Sequence, residues 1–354
     1  MRRMTTFDQV LADLRAAAVS LRRAWPRSDG HLLLDLDRFD AYGEQGGLDD
    51  SGTRIAGQWF ADLDVATEVA TATAGARQRG RVVLQPAGAD RRLTGLSALL
   101  RRPGSRLVAH RPERRAVVAL DGGARFAKLV PRRRVGGLRH LACRASQLPV
   151  RTPRVLPDQA EDLLLTEALP GTPLPALLSG PRATEALHAV GAALARLHRC
   201  PPPAGSTVHG PQDEVVVTTR WEDWARAYGH QLRVTCPSVP AAPPDLRVIH
   251  RDLHDGQLFL AADASGRFTD DGVGMLDFDL VTAGDPALDL ANLIEHLLLR
   301  ERQGVLADAG SAVAALLDGY GPDHELHGRV IGYRALAARR LLALYSFRPL
   351  NLAT

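Results

Sequence analysis

The chain has 354 residues, 45% of them apolar and 24% charged, which is typical of a globular protein with more than one packed unit. No apolar run approaches the roughly 18 residues that a membrane span needs, and the arginines lack the aromatic platform on which nucleic acids stack. Three scattered cysteines form neither a disulfide nor a zinc pattern. We therefore expect a cytoplasmic protein that binds neither membrane nor nucleic acid.

Charge is distributed unevenly along the chain. Residues 1–150 contain 26 Lys and Arg against 15 Asp and Glu, whereas residues 151–354 contain 18 against 25, so the two parts carry +11 and −7. A basic front half and an acidic back half suit an anionic ligand on one side and a cationic ligand on the other. The alternative is an uneven surface charge without a role.

The N-terminal stretch predicts mainly helix and turns. Residues 6–25 place apolar side chains at helical spacing, which predicts a helix that Pro26 ends. Residues 31–57 contain Gly and Asp clusters typical of turns. We expect residues 1–95 to form an N-terminal extension or cap of unknown role. The alternative to a functional role is extra packing around the small strand-rich part that follows.

Three strands are predicted next, over residues 106–111, 116–120 and 125–130. Asp121-Gly122-Gly123 lies between the last two and predicts a tight hairpin, because glycine readily adopts positive φ. Lys128 lies in the third strand and is the only lysine among the 44 basic residues. A solitary ammonium among guanidinium groups indicates a role that arginine cannot fill, since the two differ in size, hydration and donor geometry. The alternative is chance.

The stretch from Val248 to Leu260 carries the strongest chemical signal. It predicts two apolar strands joined by a charged turn with the spacing His250-x-Asp252-x-x-x-x-Gln257. This spacing nearly matches the catalytic loop of protein kinases, in which the Asp orients or deprotonates the attacking hydroxyl group and a final Asn binds magnesium. Here Gln257 takes the place of that Asn.

A second motif follows 25 residues after Asp252. An apolar strand ends at Asp277-Phe278-Asp279, and Gly284-Asp285-Pro286-x-x-Asp289-Leu290-Ala291 then leads into a helix. A strand that delivers Asp277 beside the first turn adds a carboxylate that can hold an ion bridging nucleotide phosphates. Asp279 either assists the metal or caps a turn, and we expect Asp289 to support the catalytic turn by hydrogen bonding.

Together the two motifs resemble the aminoglycoside phosphotransferase and choline kinase family, small-molecule kinases with a protein-kinase-like fold. The resemblance covers roughly residues 100–350. It implies an α/β fold of two lobes, with a small nucleotide-binding lobe rich in strands over residues 96–168. A larger, mostly helical lobe for catalysis and substrate binding would span residues 169–354.

The resemblance also implies an activity, which is transfer of the γ-phosphoryl group of ATP to a hydroxyl group of an aminoglycoside, amino alcohol or sugar. Asp252, with His250 in the same motif, would be catalytic. The metal ligands for Mg²⁺ would be Gln257, Asp277 and Asp279.

The nucleotide contacts implied by the resemblance lie in the small lobe and at its border. Lys128 would contact the phosphates, Arg114 or Arg115 would add positive charge at the turn above them, and backbone groups from Glu167 to Leu169 would bind adenine. The acidic back half favours an acceptor with positive charge. The acidic candidates for the acceptor pocket are Glu222, Asp223, Asp255, Glu295 and Glu301.

The chain departs from the family pattern in ways that keep other functions open. No Asp or Glu lies between Pro131 and Pro157, where the family has a Glu that pairs with the strand lysine. Either another acid such as Glu68 serves, or Lys128 has no ion-pair partner. The missing Glu, the missing glycine-rich loop and Gln257 leave a catalytically inactive binding protein as one alternative. Arg251 in His250-Arg251-Asp252 favours a peptide or protein kinase as another. The sequence leaves the acceptor and the oligomeric state open.

Overall fold

The structure, a computed structural model, describes residues 6–28, 30–38, 54–157, 161–232, 239–243 and 245–348. Its strands in chain order are β1 Val19–Ser28, β2 His31–Arg38, β3 Arg54–Phe60, β4 Arg77–Arg79, β5 Val82–Gln85, β6 Arg106–Arg111, β7 Arg115–Leu120, β8 Arg125–Leu129, β9 Leu163–Glu167, β10 Thr172–Pro173, β11 Val208–His209, β12 Arg247–Ile249, β13 Leu258–Ala262, β14 Phe268–Met275 and β15 Thr282–Gly284. Its helices are α1 Phe7–Ala16, α2 Leu63–Thr71, α3 Leu96–Leu100, α4 Val135–Ala145, α5 Leu174–Leu177, α6 Ala183–His198, α7 Pro211–Ala227, α8 Pro286–Arg302, α9 Ala309–Tyr320 and α10 His324–Tyr345.

The N-terminal extension is an antiparallel sheet with the strand order β1-β2-β3-β5-β4. Helix α1 ends at Ala16, and Ala18 interrupts the helical path with a left-handed φ of 57°. The predicted helix over residues 6–25 is therefore wrong beyond Ala16. Pairing of β1 with β2 outweighs the helical spacing because it buries Leu21 and Ala24 in the apolar core of the extension.

This extension contacts both of the parts that follow it. In β1, the Ala24 amide donates to the Phe347 carbonyl just after α10, at 2.9 Å, and the extension's apolar core includes Tyr228 at the end of α7. On the other side, Arg54 Nη1 donates to the Val108 carbonyl of β6 at 2.9 Å. The extension packs around the small lobe as expected and also contacts the helical lobe, so it bridges the two.

The small lobe is an antiparallel sheet with the order β6-β7-β8-β9, followed by α4. The three predicted strands are confirmed to within one residue at each end. The predicted hairpin is also confirmed, since Gly122 and Gly123 have φ values of 68° and 102° between β7 and β8. Lys128 of β8 pairs in register with Val117 and Leu164, so it lies at the centre of the sheet.

The large lobe is mostly helical. Helices α6 and α9 approach so closely that a Cβ atom at Gly191 or Gly319 would collide with the backbone of the other helix, which explains glycine at both positions. Two three-stranded sheets, β10-β13-β14 and β11-β15-β12, lie against this helical core. The turns that follow β12 and β14 carry the two motifs described above.

These features confirm the predicted α/β fold, with a strand-rich first part and a mostly helical second part. Boundaries after residues 95 and 168 remain our proposal for dividing the chain. Among the helices that the structure describes, none has the length and apolar character needed to cross a bilayer.

Candidate active site

One buried carboxylate on α8 fixes the turn between β12 and β13. Asp289 is fully buried, and its two oxygens accept hydrogen bonds from the backbone amides of His250 at 2.6 Å and Arg251 at 2.7 Å. Arg251 has a φ of 73°, a conformation that side chains rarely adopt, so these two charge-assisted bonds hold an unfavourable backbone in place. Asp252 follows with an exposed side chain. Asp289 therefore supports the turn as the sequence predicted.

His250 joins the catalytic turn to the acidic turn. Its ring is fully buried, with Nε2 at 2.8 Å from the Leu276 carbonyl and the ring centroid 4.8 Å from that of Phe278. Because the His250 ring is buried and bonded to the backbone, its role is to hold the catalytic turn against the acidic turn. Of the two residues predicted to be catalytic, only Asp252 has an accessible side chain.

Lys128 contacts both carboxylates of the acidic turn. Its Nζ lies 2.6 Å from Asp277 Oδ1 and 2.6 Å from Asp279 Oδ2. Arg115 Nη1 adds a third cationic contact, at 3.2 Å from Asp277 Oδ2. The missing acidic partner is therefore supplied by the large lobe, while Glu68 is exposed on α2. Sequence spacing gave no sign of this pairing because about 150 residues separate the partners.

The two carboxylates differ in their electrostatics. Burial alone would raise the pKa of Asp277, but the adjacent Lys128 and Arg115 hold that pKa well below its usual range. Burial and the neighbouring Asp277 charge raise the pKa of Asp279, and Lys128 offsets this only in part. Asp277 is therefore the firmly ionised carboxylate and the stronger candidate for binding a cation.

Gln257 provides an amide oxygen without a partner. The residue is 5% exposed, and its Oε1 is buried without a hydrogen-bond partner among the described residues. The Leu276 amide donates to the Gln257 carbonyl at 2.9 Å, which places Gln257 alongside the start of the acidic turn. An unpartnered amide oxygen suits a hard cation such as Mg²⁺, which binds oxygen ligands from one or two carboxylates together with nucleotide phosphates. No cluster of three His, Cys, Asp or Glu suited to a metal occurs in the described ranges.

Arg115, predicted together with Arg114 as a source of positive charge, contacts Asp277, whereas the other predicted nucleotide contacts are exposed or engaged elsewhere. Arg114 is exposed at the β6–β7 turn, where partial burial and other arginines lower its pKa. The Glu167 carboxylate bonds to Arg154 Nε at 2.8 Å. Leu169 is buried against Gly274 of β14, with no room for a Cβ atom at that glycine. The backbone from Glu167 to Leu169 thus runs from the small lobe onto the large lobe.

The turn that carries Arg114 is tied to the extension. Glu113, at a φ of 61°, is buried and contacts Arg91 at 2.7 Å and Arg92 at 3.0 Å. Asp90 accepts from the Glu113 amide at 2.7 Å and lies 2.9 Å from His110 Nε2. Ion pairs to the extension therefore shape this turn, in place of the missing glycines.

A group of arginines held on aromatic rings was not predicted. Arg23 and Arg111 stack on Trp25, and Arg348 lies over the ring of Tyr345 just after α10. We call Arg23, Arg111 and Arg348 the arginine cluster. The alternation Arg23-x-Trp25-x-Arg27 on one strand is the signal that would have found it, but the helical interpretation of residues 6–25 concealed that signal.

The acidic residues named as acceptor-pocket candidates are already engaged. Each one has an arginine partner or a backbone amide partner, so each of these carboxylates already has at least one contact within the described residues. The pairs are Glu222 with Arg339, Asp223 with Arg226, Asp255 with Arg300, Glu295 with Arg334, and Glu301 with the Ala309 amide.

The sequence profile of the phosphotransferase enzyme family matches residues 132–333, which include both motifs. The chain belongs to this family. Membership confirms the predicted resemblance and the expected class of enzyme, a kinase that phosphorylates an alcohol group. The matched region begins just after the strand that carries Lys128, so this phosphotransferase is most family-like in its large lobe. No curated protein matches the chain.

Solved structures of similar fold include two phosphotransferases and one protein of a kinase family. Aminoglycoside phosphotransferase APH(3'')-Id from Streptomyces rimosus is 21% identical, with 69% of this chain and 98% of that chain covered and a TM-score of 0.49. Macrolide 2'-phosphotransferase MphH from Brachybacterium faecium is 19% identical, with 69% and 92% covered and a TM-score of 0.42. A choline/ethanolamine kinase family protein from Mesorhizobium loti is 15% identical, with 68% and 78% covered and a TM-score of 0.42.

Proposed function

We propose that this phosphotransferase moves the γ-phosphoryl group of ATP to a hydroxyl group of a small molecule, with Mg²⁺ as cofactor. The observation that carries the proposal is the contact of 2.6 Å between Lys128 and Asp277, on a turn whose preceding residue, Leu276, bonds to the backbone of Gln257. Gln257 also has a buried side-chain oxygen without a partner among the described residues. An amide oxygen, an ionised carboxylate and an ammonium group are the groups that a nucleotide phosphate and its cation need.

Each residue has a distinct part in this reaction. Asp252 orients the acceptor hydroxyl and takes its proton as the new oxygen–phosphorus bond forms. Lys128 and Arg115 offset negative charge on the phosphates, and Asp289 keeps Asp252 in place through the turn. Bound Mg²⁺ would neutralise phosphate charge, and Gln257 and Asp277 would hold it, with Asp279 as a weaker ligand.

The nucleotide would lie between the two lobes. Its adenine would meet the backbone from Glu167 to Leu169, where the chain passes from one lobe to the other. Arg114 would add positive charge from outside the phosphate site. We keep the division into an extension to residue 95, a small lobe to residue 168 and a large lobe beyond it as part of this proposal.

The test is ADP release from ATP and Mg²⁺ in the presence of aminoglycosides, sugars, choline and peptides, with Asp252→Asn as the matched variant. We expect ADP release that depends on a small hydroxyl compound and is lost in the variant. Turnover only with peptides would favour a peptide kinase. Nucleotide binding without turnover on any acceptor would indicate an inactive relative, and absence of MgATP binding would overturn the proposal.

A further inference from the structure

The extension turns two side chains of β1 towards the small lobe. The pairing of β1 with β2 shifts between Leu21 and Arg23, as at a β-bulge, which re-aims the following side chains. Leu21 and Ala24 stay in the apolar core of the extension, whereas Arg23 and Trp25 are half-buried on the other face.

Two guanidinium groups lie over the Trp25 ring. Arg23 Cζ lies 4.7 Å and Arg111 Cζ lies 4.5 Å from the ring centroid. Arg348 Cζ lies 4.1 Å from the centroid of Tyr345. Stacking on an aromatic face orients a guanidinium group through its flat side. The N–H donors lie in the plane of the guanidinium group, so they stay available to bind an anion.

No carboxylate in the described part of the chain forms an ion pair with any member of the arginine cluster. Asp35, whose charge favours the protonated form of Arg23 and of Arg348, is already engaged by Arg54, at 2.8 Å from Nε and 2.6 Å from Nη2. Arg348 Nε and Trp25 Nε1 are buried without a hydrogen-bond partner among the described residues. The cluster therefore has unused donors as well as unpaired charge.

The electrostatics of the cluster favour an added anion. Burial lowers the pKa of Arg23, Arg111 and Arg348, and that of Arg111 falls to about 10. Repulsion between Arg23 and both other members lowers the pKa of Arg23 further. Buried like charges are costly unless an opposite charge compensates them, so an anionic ligand would be bound with favourable electrostatics.

Strand pairing connects the cluster to the acidic turn. Arg111 pairs in register with Arg115 across β6 and β7, and Arg115 Nη1 lies 3.2 Å from Asp277 Oδ2. The charges of Asp252 and Asp277 both act to raise the pKa of Arg111. Arg348 is repelled by Arg300, which in turn bonds to Asp255 in the catalytic turn.

We propose that Arg23, Arg111 and Arg348 receive an anionic group, a carboxylate or a phosphate ester, on the small molecule whose hydroxyl this enzyme phosphorylates. The inference rests on the proposed function and names the charge of its acceptor. It assigns a binding role to the extension, which supplies Arg23 and Trp25 to the site.

The test uses two probe scaffolds that differ in charge. One set is glycerate, glycerol and 3-amino-1,2-propanediol; the other is D-glucuronate, D-glucose 6-phosphate, D-glucose and D-glucosamine. Binding to the protein is measured by calorimetry with and without saturating MgADP, and the KM for ATP is measured separately. The variants are Arg23→Gln, Arg348→Gln and the charge-retaining Arg23→Lys. The matched control is Arg22→Gln on the same strand, where Arg22 contacts Asp37 at 3.2 Å.

We expect an anionic probe to bind at least about tenfold more tightly than the neutral and cationic members of its set, as charged hydrogen bonds allow. Arg23→Gln and Arg348→Gln should each weaken that binding about tenfold, with Arg23→Lys less affected, Arg22→Gln unchanged, and the KM for ATP within about twofold.

Three results would overturn the inference. The first is that the protein does not prefer the anionic member of either set, and the second is that Arg22→Gln loses as much affinity for the anionic probe as Arg23→Gln. The third is that Arg23→Gln and Arg348→Gln raise the KM for ATP and leave probe binding unchanged. Failure of MgADP to bind the unmodified protein would instead count against the proposed function, since the probes are also titrated without nucleotide.

Discussion

At the scale of single residues, Lys128 offers the most direct test of the nucleotide site. An amine-reactive ATP analogue can label only Lys128 and the amino terminus of this chain, because no other lysine exists. We expect labelling of Lys128 that excess MgATP suppresses, and labelling of the amino terminus that MgATP does not affect. Peptide mapping by mass spectrometry measures both. Equal labelling of Lys128 with and without MgATP would show that the nucleotide does not bind at β8.

Replacing Lys128 tests the same site by activity. Lys128→Met removes the ammonium group that contacts Asp277 and Asp279, and we expect a loss of about 10²–10³-fold in kcat, typical of one lost electrostatic contact to a transition state. Lys128→Arg keeps the charge but widens the head group, so its loss should be smaller. Circular dichroism should show an unchanged fold for both, and activity of Lys128→Met within threefold of the original would contradict the assignment.

Asp252 can be tested without disturbing nucleotide binding. Its side chain is exposed, so Asp252→Ala should leave the fold and MgATP binding nearly intact. Loss of a positioned proton acceptor should lower turnover about 10²–10⁴-fold. Steady-state ADP release and calorimetry with MgATP provide the two readouts. The assignment fails if turnover persists near the original rate.

Gln257 predicts opposite effects on stability and on metal binding. Gln257→Leu removes a buried acceptor that has no partner, so the free energy of unfolding should stay equal or rise by about 1 kcal/mol. The Mg²⁺ concentration for half-maximal ATP binding should rise about tenfold, since one oxygen ligand is lost. Gln257→Asn is the matched control and should retain partial activity. Unchanged Mg²⁺ dependence in Gln257→Leu would remove this residue from the metal site.

At the scale of the elements, α8 determines the shape of the catalytic turn through Asp289. Asp289→Asn keeps the size but replaces one charged acceptor with a donor, leaving a backbone amide of the turn unsatisfied. We expect a loss of about 2–3 kcal/mol in the free energy of unfolding by urea, together with lower kcat. The control is Asp318→Asn on α9, where the side chain is 80% exposed and a near-zero change is expected. Equal effects of the two changes would contradict this role.

Local patterns predicted those elements whose stability is local. The strands β6, β7 and β8 and the turn at Gly122 and Gly123 follow from alternation and glycine conformation, and they formed where predicted. Strand β1 was missed because Leu21 lies seven residues after Leu14, a spacing that also fits a helix. Pairing with β2 decided between helix and strand for this segment. The sequence of one segment does not show which strand will pair with it.

The same limit applies to the site. The spacing of His250, Asp252 and Asp277 identified the two turns, because those residues lie within short motifs. The partners of Lys128 and the arginine cluster stayed hidden, because they join residues separated by more than eighty positions. The −7 balance of the second part does not locate an acidic pocket for the same reason, since α10 carries arginines such as Arg334 and Arg339 that pair with buried acids. The positive acceptor charge predicted from that balance is untested by these contacts, and the probe sets above test it.

At the scale of the whole molecule, the shared contacts predict that the extension and the lobes unfold together. Leu34 is fully buried in β2, so Leu34→Ala should cost about 2–5 kcal/mol. Calorimetry should show one transition that moves as a whole to lower temperature. Leu342→Ala, at a side chain that is 50% exposed on α10, should leave it almost unchanged. A separate early transition in Leu34→Ala would show that the extension is independent.

The bridge made by the extension also bears on how the enzyme turns over. Its sheet bonds to the carbonyl of Phe347 in the large lobe and to that of Val108 in the small lobe, while Glu113 fastens the turn above the proposed phosphate site. A kinase whose lobes open about a single hinge releases its product by swinging wide. Because the extension is bonded to both lobes, it forms a second connection between them, and we expect it to restrict their opening. Release of ADP should then be slow, and a single-turnover experiment should give a rate well above the steady-state rate.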